Sequence, residues 1–486
     1  MPAASRLVAG PGLIAQRLVL RLFRAKPRRE SPSCPENSVP VDPTPLTPQA
    51  AERNIRYNVQ HGVASVLPAN LAVPFFGILA LKMGASNFQI ALLSSAPAIM
   101  SLLVMIPGAI YVDRFSLKKR VTTMFFWANR VFYLLLACVP FFTEDRRAAA
   151  LVVAVALMNL PGAIGNVAWQ SFISRVIPSS RRAQAFAHRN RWMNVVGTVA
   201  VVIAGRALDI MRFPLGYQVM FLVAFVAAMV EIRIFQRIEE PEAPPGGNGR
   251  AATGAGSGTL SGAGPNGLRR RLIDLPGSVR WAWRDILSHP RFVRFTLAAV
   301  VFYFMWQIAW PLFTLYQVKE LGANNLWVSL LTLANSSGAL FGYGLWAKVA
   351  DRRGHLGSLC LASTGMFLVP LFYALLHSLV ALAILNLAVG VIFSGVILGL
   401  FNALLESVPE ERTTTYIAYY NTAITLTTVF APLVGVGLLK LTGFFWAFLI
   451  CAVGRVLGSY CFYLVLWSRR REEARPTFVT AAGPPA

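Results

Sequence analysis

Hydrophobic runs of about twenty residues recur along the chain, separated by short polar stretches, and each is long enough to cross the roughly 30 Å hydrocarbon layer as a helix. Six lie near positions 63–82, 87–107, 121–142, 148–172, 190–208 and 217–237. Six more lie near 293–317, 326–347, 358–377, 379–405, 416–439 and 443–467. They are numbered spans 1 to 12 in chain order. Between the two sets runs a polar stretch from Glu239 to His289, opening with Glu-Glu-Pro-Glu-Ala-Pro-Pro-Gly-Gly and closing with arginines. Its Gly/Pro/Ser-rich part buries too little apolar surface to offset its ordering entropy, so it reads as a flexible linker. The pattern predicts an N-terminal tail (1–50), a six-helix bundle (51–238), the linker (239–289), a second bundle (290–470) and a C-terminal tail (471–486).

Composition then fixes the class. Hydrophobic residues make up 56% of the chain and charged ones 14%, against about 25% charged in a soluble domain. The expected fold is an all-α integral membrane protein with twelve transmembrane helices in two pseudo-symmetric six-helix bundles. The net charge of +24 does not signal nucleic acid, because the Lys and Arg residues concentrate in alternate loops. Arg114, Lys118, Lys119 and Arg120, then Arg175, Arg181, Arg182, Arg189 and Arg191, fall on the same side as the tails and linker. That bias places both termini in the cytoplasm, in the plasma membrane, with the lipid bilayer as solvent. In the N-terminal tail, Arg17, Arg21, Arg24 and Arg28 share one face of a candidate interfacial helix.

The halves repeat each other. Pro178-Ser-Ser-Arg181 through Asn190 is echoed by Pro409-Glu-Glu-Arg412 through Asn421, with Pro, Arg, Ala and Asn coinciding at an offset of 231 positions. Asp113-Arg114 after span 2 is echoed by Asp351-Arg352-Arg353-Gly354-His355 after span 8. Parallel repeats of six spans are how one class of secondary transporter is built.

At these residues the chain resembles the major facilitator superfamily over 53–471. The family's signature is Gly, three residues, Asp-Arg, one residue, Gly and then basic residues. Here Ala109 and Ala347 stand at the first Gly, and Ser116 at the second Gly of the first copy. The resemblance implies that Asp113 meets the start of span 11 and Asp351 the start of span 5. Such carboxylates accept hydrogen bonds at a helix N-terminus and close one side of the membrane. Arg114, Arg352 and Arg412 belong to the same gate, and Arg175 and Glu406, at equivalent repeat positions, are candidates for an ion pair between the halves.

The resemblance also implies that spans 1, 4, 7 and 10 line a central cavity. The amide and aromatic residues available there, with those on span 11, are candidates for substrate contact: Asn70, Asn159, Asn166, Tyr303, Trp306, Gln307, Trp310, Asn402 and Asn421. Asn159 and Asn166 are seven apart, as are Tyr303 and Trp310, so each pair shares a helical face. Charge well inside the spans is scarce, and Arg130 in span 3, Glu231 in span 6 and Arg455 in span 12 stand out as structural or functional. No P-loop, metal-ligand spacing or nucleophile–base pair is present, so neither an enzyme nor a cofactor is expected. The expected activity is transport of a small organic solute by a monomer working through alternating access. Proton coupling is left open by His61 and Glu406. The alternatives are a non-transporting sensor or scaffold, and a lipid-handling flippase on the same fold.

Overall fold

The computed structural model describes residues 48–113, 115, 117–177, 179–240, 285–409 and 413–473. The side chains of Asp113 and Arg175, the whole of Arg114 and Arg412, the interfacial-helix candidate and 241–284 of the linker lie outside the described residues. Helix dominates everything described. Ten segments are long and apolar enough to cross a membrane, and two of them, Asn325–Leu375 and Tyr416–Arg471, run to 51 and 56 residues. Each of these two holds a pair of spans. Gly354 (φ 74°) separates spans 8 and 9, and Gly443 (φ 75°) separates spans 11 and 12. A positive φ reverses the chain without a loop, and glycine adopts it without the Cβ clash that other residues meet. Twelve spans therefore appear in two sets of six.

Span boundaries differ from the hydropathy reading at the ends facing the termini. The helix of span 1 begins at Pro48 and that of span 5 at Ser179, each more than two turns earlier than the apolar run. The extra turns are polar, and part of that polarity is turned inward rather than into water. Asn54, Asn58 and His61 are all buried on one face of span 1.

Proline breaks several spans where the sequence places it. Span 1 tightens into a 3-10 turn at Val73–Phe75, around Pro74. Span 7 stops at Ala309, restarts at Trp310-Pro311, and ends in a wide π turn over Tyr316–Glu320. Span 9 breaks between Gly365 and Leu368, just before Pro370. Each missing proline N–H leaves the carbonyl four residues earlier without its helical donor.

Packing distinguishes the two faces of the membrane. Across the halves, span 2 packs on the helix of spans 11 and 12, and span 5 on the helix of spans 8 and 9. On the side away from the termini one apolar core is shared, with Phe75, Leu79 and Leu208 from the first half and Leu312, Leu315 and Leu439 from the second. On the side of the termini the cores are separate. Phe172, Ile173, Val176 and Phe235 cluster within the first half, and Phe292, Phe295, Leu404 and Tyr416 within the second.

Candidate functional site

The halves are fastened together at the side away from the termini. Asp209, at the end of span 5, accepts from the backbone N–H of Asn325 (3.1 Å) and Leu326 (2.8 Å) and from Asn325 Nδ2 (2.8 Å). A carboxylate at the first turn of a helix meets its unpaired N–H groups and the positive end of its dipole. Tyr217 Oη donates to Asn325 Oδ1 at 2.6 Å, and Ser329 Oγ to the Val201 carbonyl at 2.8 Å. Gly205 makes this closeness possible. A Cβ there would collide with Ser329 Oγ and lie 2.7 Å from the Asn325 carbonyl. Among the described residues, the hydrogen bonds that join the halves lie at this end, with Lys319 Nζ to Asn87 Oδ1 at 2.8 Å completing the set.

The same capping chemistry appears at the other side within the first half. Glu240 accepts from Lys118 N–H and Lys119 N–H, both at 2.9 Å, at the start of span 3. Glu239 exchanges backbone hydrogen bonds with the Asn54 side chain (2.9 and 3.0 Å) and pairs with Arg53. The first two residues of the linker are thus tied to spans 1 and 3.

Of the gating candidates that are described, Asp351 and Arg352 are exposed at the end of span 8. Glu406 pairs with Arg469 of its own half at 2.8 Å.

The substrate candidates divide into three groups. Asn166 and Asn421 are exposed, on spans 4 and 11. Asn166 continues a face that carries Asn159 and Gln170, seven residues before it and four after. Exposed amides inside an apolar span face water rather than hydrocarbon, so these faces turn to the gap between the halves. Tyr303, Trp306 and Trp310 form a ring series along span 7, at 5.2 and 6.4 Å between centroids. Trp310 is exposed and Trp306 buried. The third group is bonded or enclosed within its own half. Asn70 and Asn159 donate to carbonyls four residues back, of Val66 and Val155, and buried Gln307 reaches Thr427 Oγ1 at 3.4 Å. Asn402 is half-buried.

The three intramembrane charges find distinct partners. Arg130 of span 3 makes a two-pronged pair with Glu231 of span 6, Nε to Oε2 at 3.0 Å and Nη2 to Oε1 at 2.9 Å. Its Nη1 donates to Asn129 Oδ1 at 2.7 Å, while Asn129 Nδ2 reaches the Met158 carbonyl of span 4. His61 Nε2 stands 3.4 Å from Glu231 Oε1, too poorly aimed for a hydrogen bond. Arg455 has no acidic partner among the described residues; Nη1 donates to the Met366 carbonyl (2.9 Å) and Nη2 to the Trp306 carbonyl (3.0 Å).

One residue that hydropathy reasoning assigned only to topology belongs here. Arg189 of span 5 is buried, with its guanidinium 4.9 Å above the Trp169 ring. The repeat itself carried a signal. At the offset of 231 positions Arg189 corresponds to Tyr420, which is also buried.

Two six-span bundles joined by hydrogen bonds at one side, with separate apolar cores at the other among the described residues, have the architecture of a membrane transporter. A family model for the Major Facilitator Superfamily matches residues 62–302 and again 295–486, so the chain belongs to that superfamily. Among solved structures it is similar to a bacterial homolog of the human lysosomal transporter Spinster. In the inward-facing, unoccupied conformation that protein has 13% identity and a TM-score of 0.62, with 88% of this chain and 99% of the other covered. In the inward-facing, occupied conformation it has 11% identity and a TM-score of 0.61, over the same shares. At these identities the likeness is one of fold. No curated protein matches the chain.

Proposed function

We propose that the protein is a secondary transporter that moves a small organic solute by alternating access. The observation that carries this reading is the one-sided join. Asp209, Tyr217 and Ser329 hold the halves together at one face, while the apolar cores stay separate at the other. The charge bias of the loops puts the termini in the cytoplasm, so this arrangement corresponds to a site open to the cytoplasm and shut to the outside. Spans 4, 7 and 11 supply the solute's contacts: Asn166 and Gln170, Trp310 with Tyr303, and Asn421. The far-side hydrogen bonds then break as the halves rock and close over the solute. The protein acts as a monomer in the plasma membrane.

The test is uptake by proteoliposomes with cysteines placed at exposed Arg206 and Asn324, on either side of the join. Solute uptake should proceed in the reduced protein and stop when the pair is cross-linked. Uptake that continues through a cross-linked join would rule out rocking of the halves, and absence of exchange of any organic solute would favour the sensor or scaffold reading.

A further inference from the structure

The first half contains a cluster of buried polar groups that make no hydrogen bond inside the protein. Asn58 and His61 from span 1, Trp169 from span 4 and Arg189 from span 5 contribute six buried nitrogen and oxygen atoms without a hydrogen bond: Asn58 Nδ2 and Oδ1, both ring nitrogens of His61, Trp169 Nε1 and Arg189 Nε. The side chains adjoin one another. Arg189 lies over Trp169, the His61 and Trp169 rings are 6.5 Å apart, and Asn58 is one turn before His61 on the same face. Native interiors hold few such groups, because each unpaired buried donor forfeits the hydrogen bond it made with water.

Charge in this cluster is also unbalanced. Glu231 is engaged on both oxygens by Arg130, which leaves that pair neutral. Among the described residues no carboxylate comes within ion-pair distance of Arg189, and Glu231, which acts on it from further off, is already paired. A buried cation with only a shared and distant counter-charge is costly, and an anion arriving from outside the protein would supply a closer one. Space has been kept for the guanidinium, because a Cβ on Gly62 would sit 2.5 Å from Arg189 Nε.

The cluster lies toward the side of the termini, and Trp169 sits between exposed Asn166 and Gln170 on span 4. We infer that Arg189, Trp169, His61 and Asn58 form a binding site for an oxyanion, the carboxylate or phosphoryl group of an anionic organic solute. The guanidinium, indole and amide offer N–H donors from three spans, a set suited to an anion with several acceptor oxygens. This names the substrate class for the transporter proposed above and rests on that reading.

The experiment is thermal unfolding and calorimetric titration of the purified full-length protein with benzoate, phenyl phosphate and, as the neutral counterpart, benzamide. At least one of the two oxyanions should raise the melting temperature by mass action, and benzamide should not. Arg189→Gln should weaken oxyanion binding at least tenfold without lowering the melting temperature of the unliganded protein. Trp169→Phe, which keeps the ring and deletes only the N–H, should weaken it roughly threefold. Binding of both oxyanions no better than benzamide, or undiminished in both variants, would overturn the proposal. Spin-label distances across the far-side join separate the two readings. Two interconverting distances with no oxyanion binding would retain the transporter and remove this site. Oxyanion binding with a single distance would retain the site and remove the alternating transporter.

Discussion

The two halves solve the same problem with opposite chemistry. In the first, Glu231 of span 6 projects to the point where spans 1, 3 and 6 meet and engages Arg130, with His61 beside it. In the second, Arg455 of span 12 projects to the corresponding meeting point of spans 7, 9 and 12. The first junction is an ion pair. The second is a cation on two carbonyls, those of Met366 and Trp306. Met366 lies four residues before Pro370, which has no N–H to donate to it, and Trp306 lies three residues before the break at Ala309. The difference teaches that a repeated fold does not repeat its buried charges: at the offset of 231 positions Glu231 corresponds to Phe462 and Arg455 to Ala224. One half uses its junction to neutralise charge and leaves a second arginine, Arg189, without an ion pair of its own. The other uses its junction to splice two interrupted helices, with the Arg455 guanidinium over the Phe313 ring.

That contrast can be broken at several points. The largest effect belongs to Glu231→Gln, which leaves Arg130 buried without its counter-charge and should destabilise the fold by about 3–5 kcal/mol. Adding Arg130→Met to it should restore most of the loss in melting temperature, as expected for a pair whose members are harmful only singly. Arg455→Met comes next. It deprives two carbonyls of a donor while removing a buried charge, for a net loss of about 2 kcal/mol. Among the described residues no acid pairs with Arg455, so removing one should not rescue the variant. A screen that found such a rescue would show the second junction to be an ion pair after all.

Asp209→Asn should act on conformation more than on folding. It weakens charge-assisted hydrogen bonds to the start of span 8 by about 1–3 kcal/mol. A cysteine at Ser329 should then label faster with a membrane-impermeant thiol reagent added from the side away from the termini. The smallest effect is expected at Arg469→Ala. Its partner Glu406 is partly exposed, so the loss should stay below about 1 kcal/mol in the melting curve.

Much of this architecture was legible beforehand, and the exceptions have physical causes. The apolar runs located the membrane helices, and the 231-residue offset exposed the duplication. Gly354 and Gly443 lie where the apolar runs placed the turns between spans 8 and 9 and between spans 11 and 12, but only their positive φ shows how short those turns are. Hydropathy also shortened spans 1 and 5, since Asn54, Asn58, His61 and Arg189 lower the local average while being buried inside the bundle. Arg130, Glu231 and Arg455 stood out as intramembrane charges, yet their partners did not. Arg130 and Glu231 are 101 positions apart, and a carbonyl acceptor leaves no mark in the residue alphabet. Arg189 was hidden for a different reason. Positive charge on this side of the membrane is expected from topology alone, so one more arginine carried no information until its burial was seen.

The central claim is that the halves exchange between a state joined at the far side and a state joined at the termini side. Spans 5 and 8 report both ends at once. Spin labels at Arg206 and Asn324 would measure the far side, and labels at Trp192 and Lys348 the termini side, in a cysteine-free protein reconstituted in lipid. The account predicts two distances for each pair, changing in opposite directions as solute is added, so that one end closes when the other opens. A single distance at each pair under every condition, or both ends opening together, would contradict it.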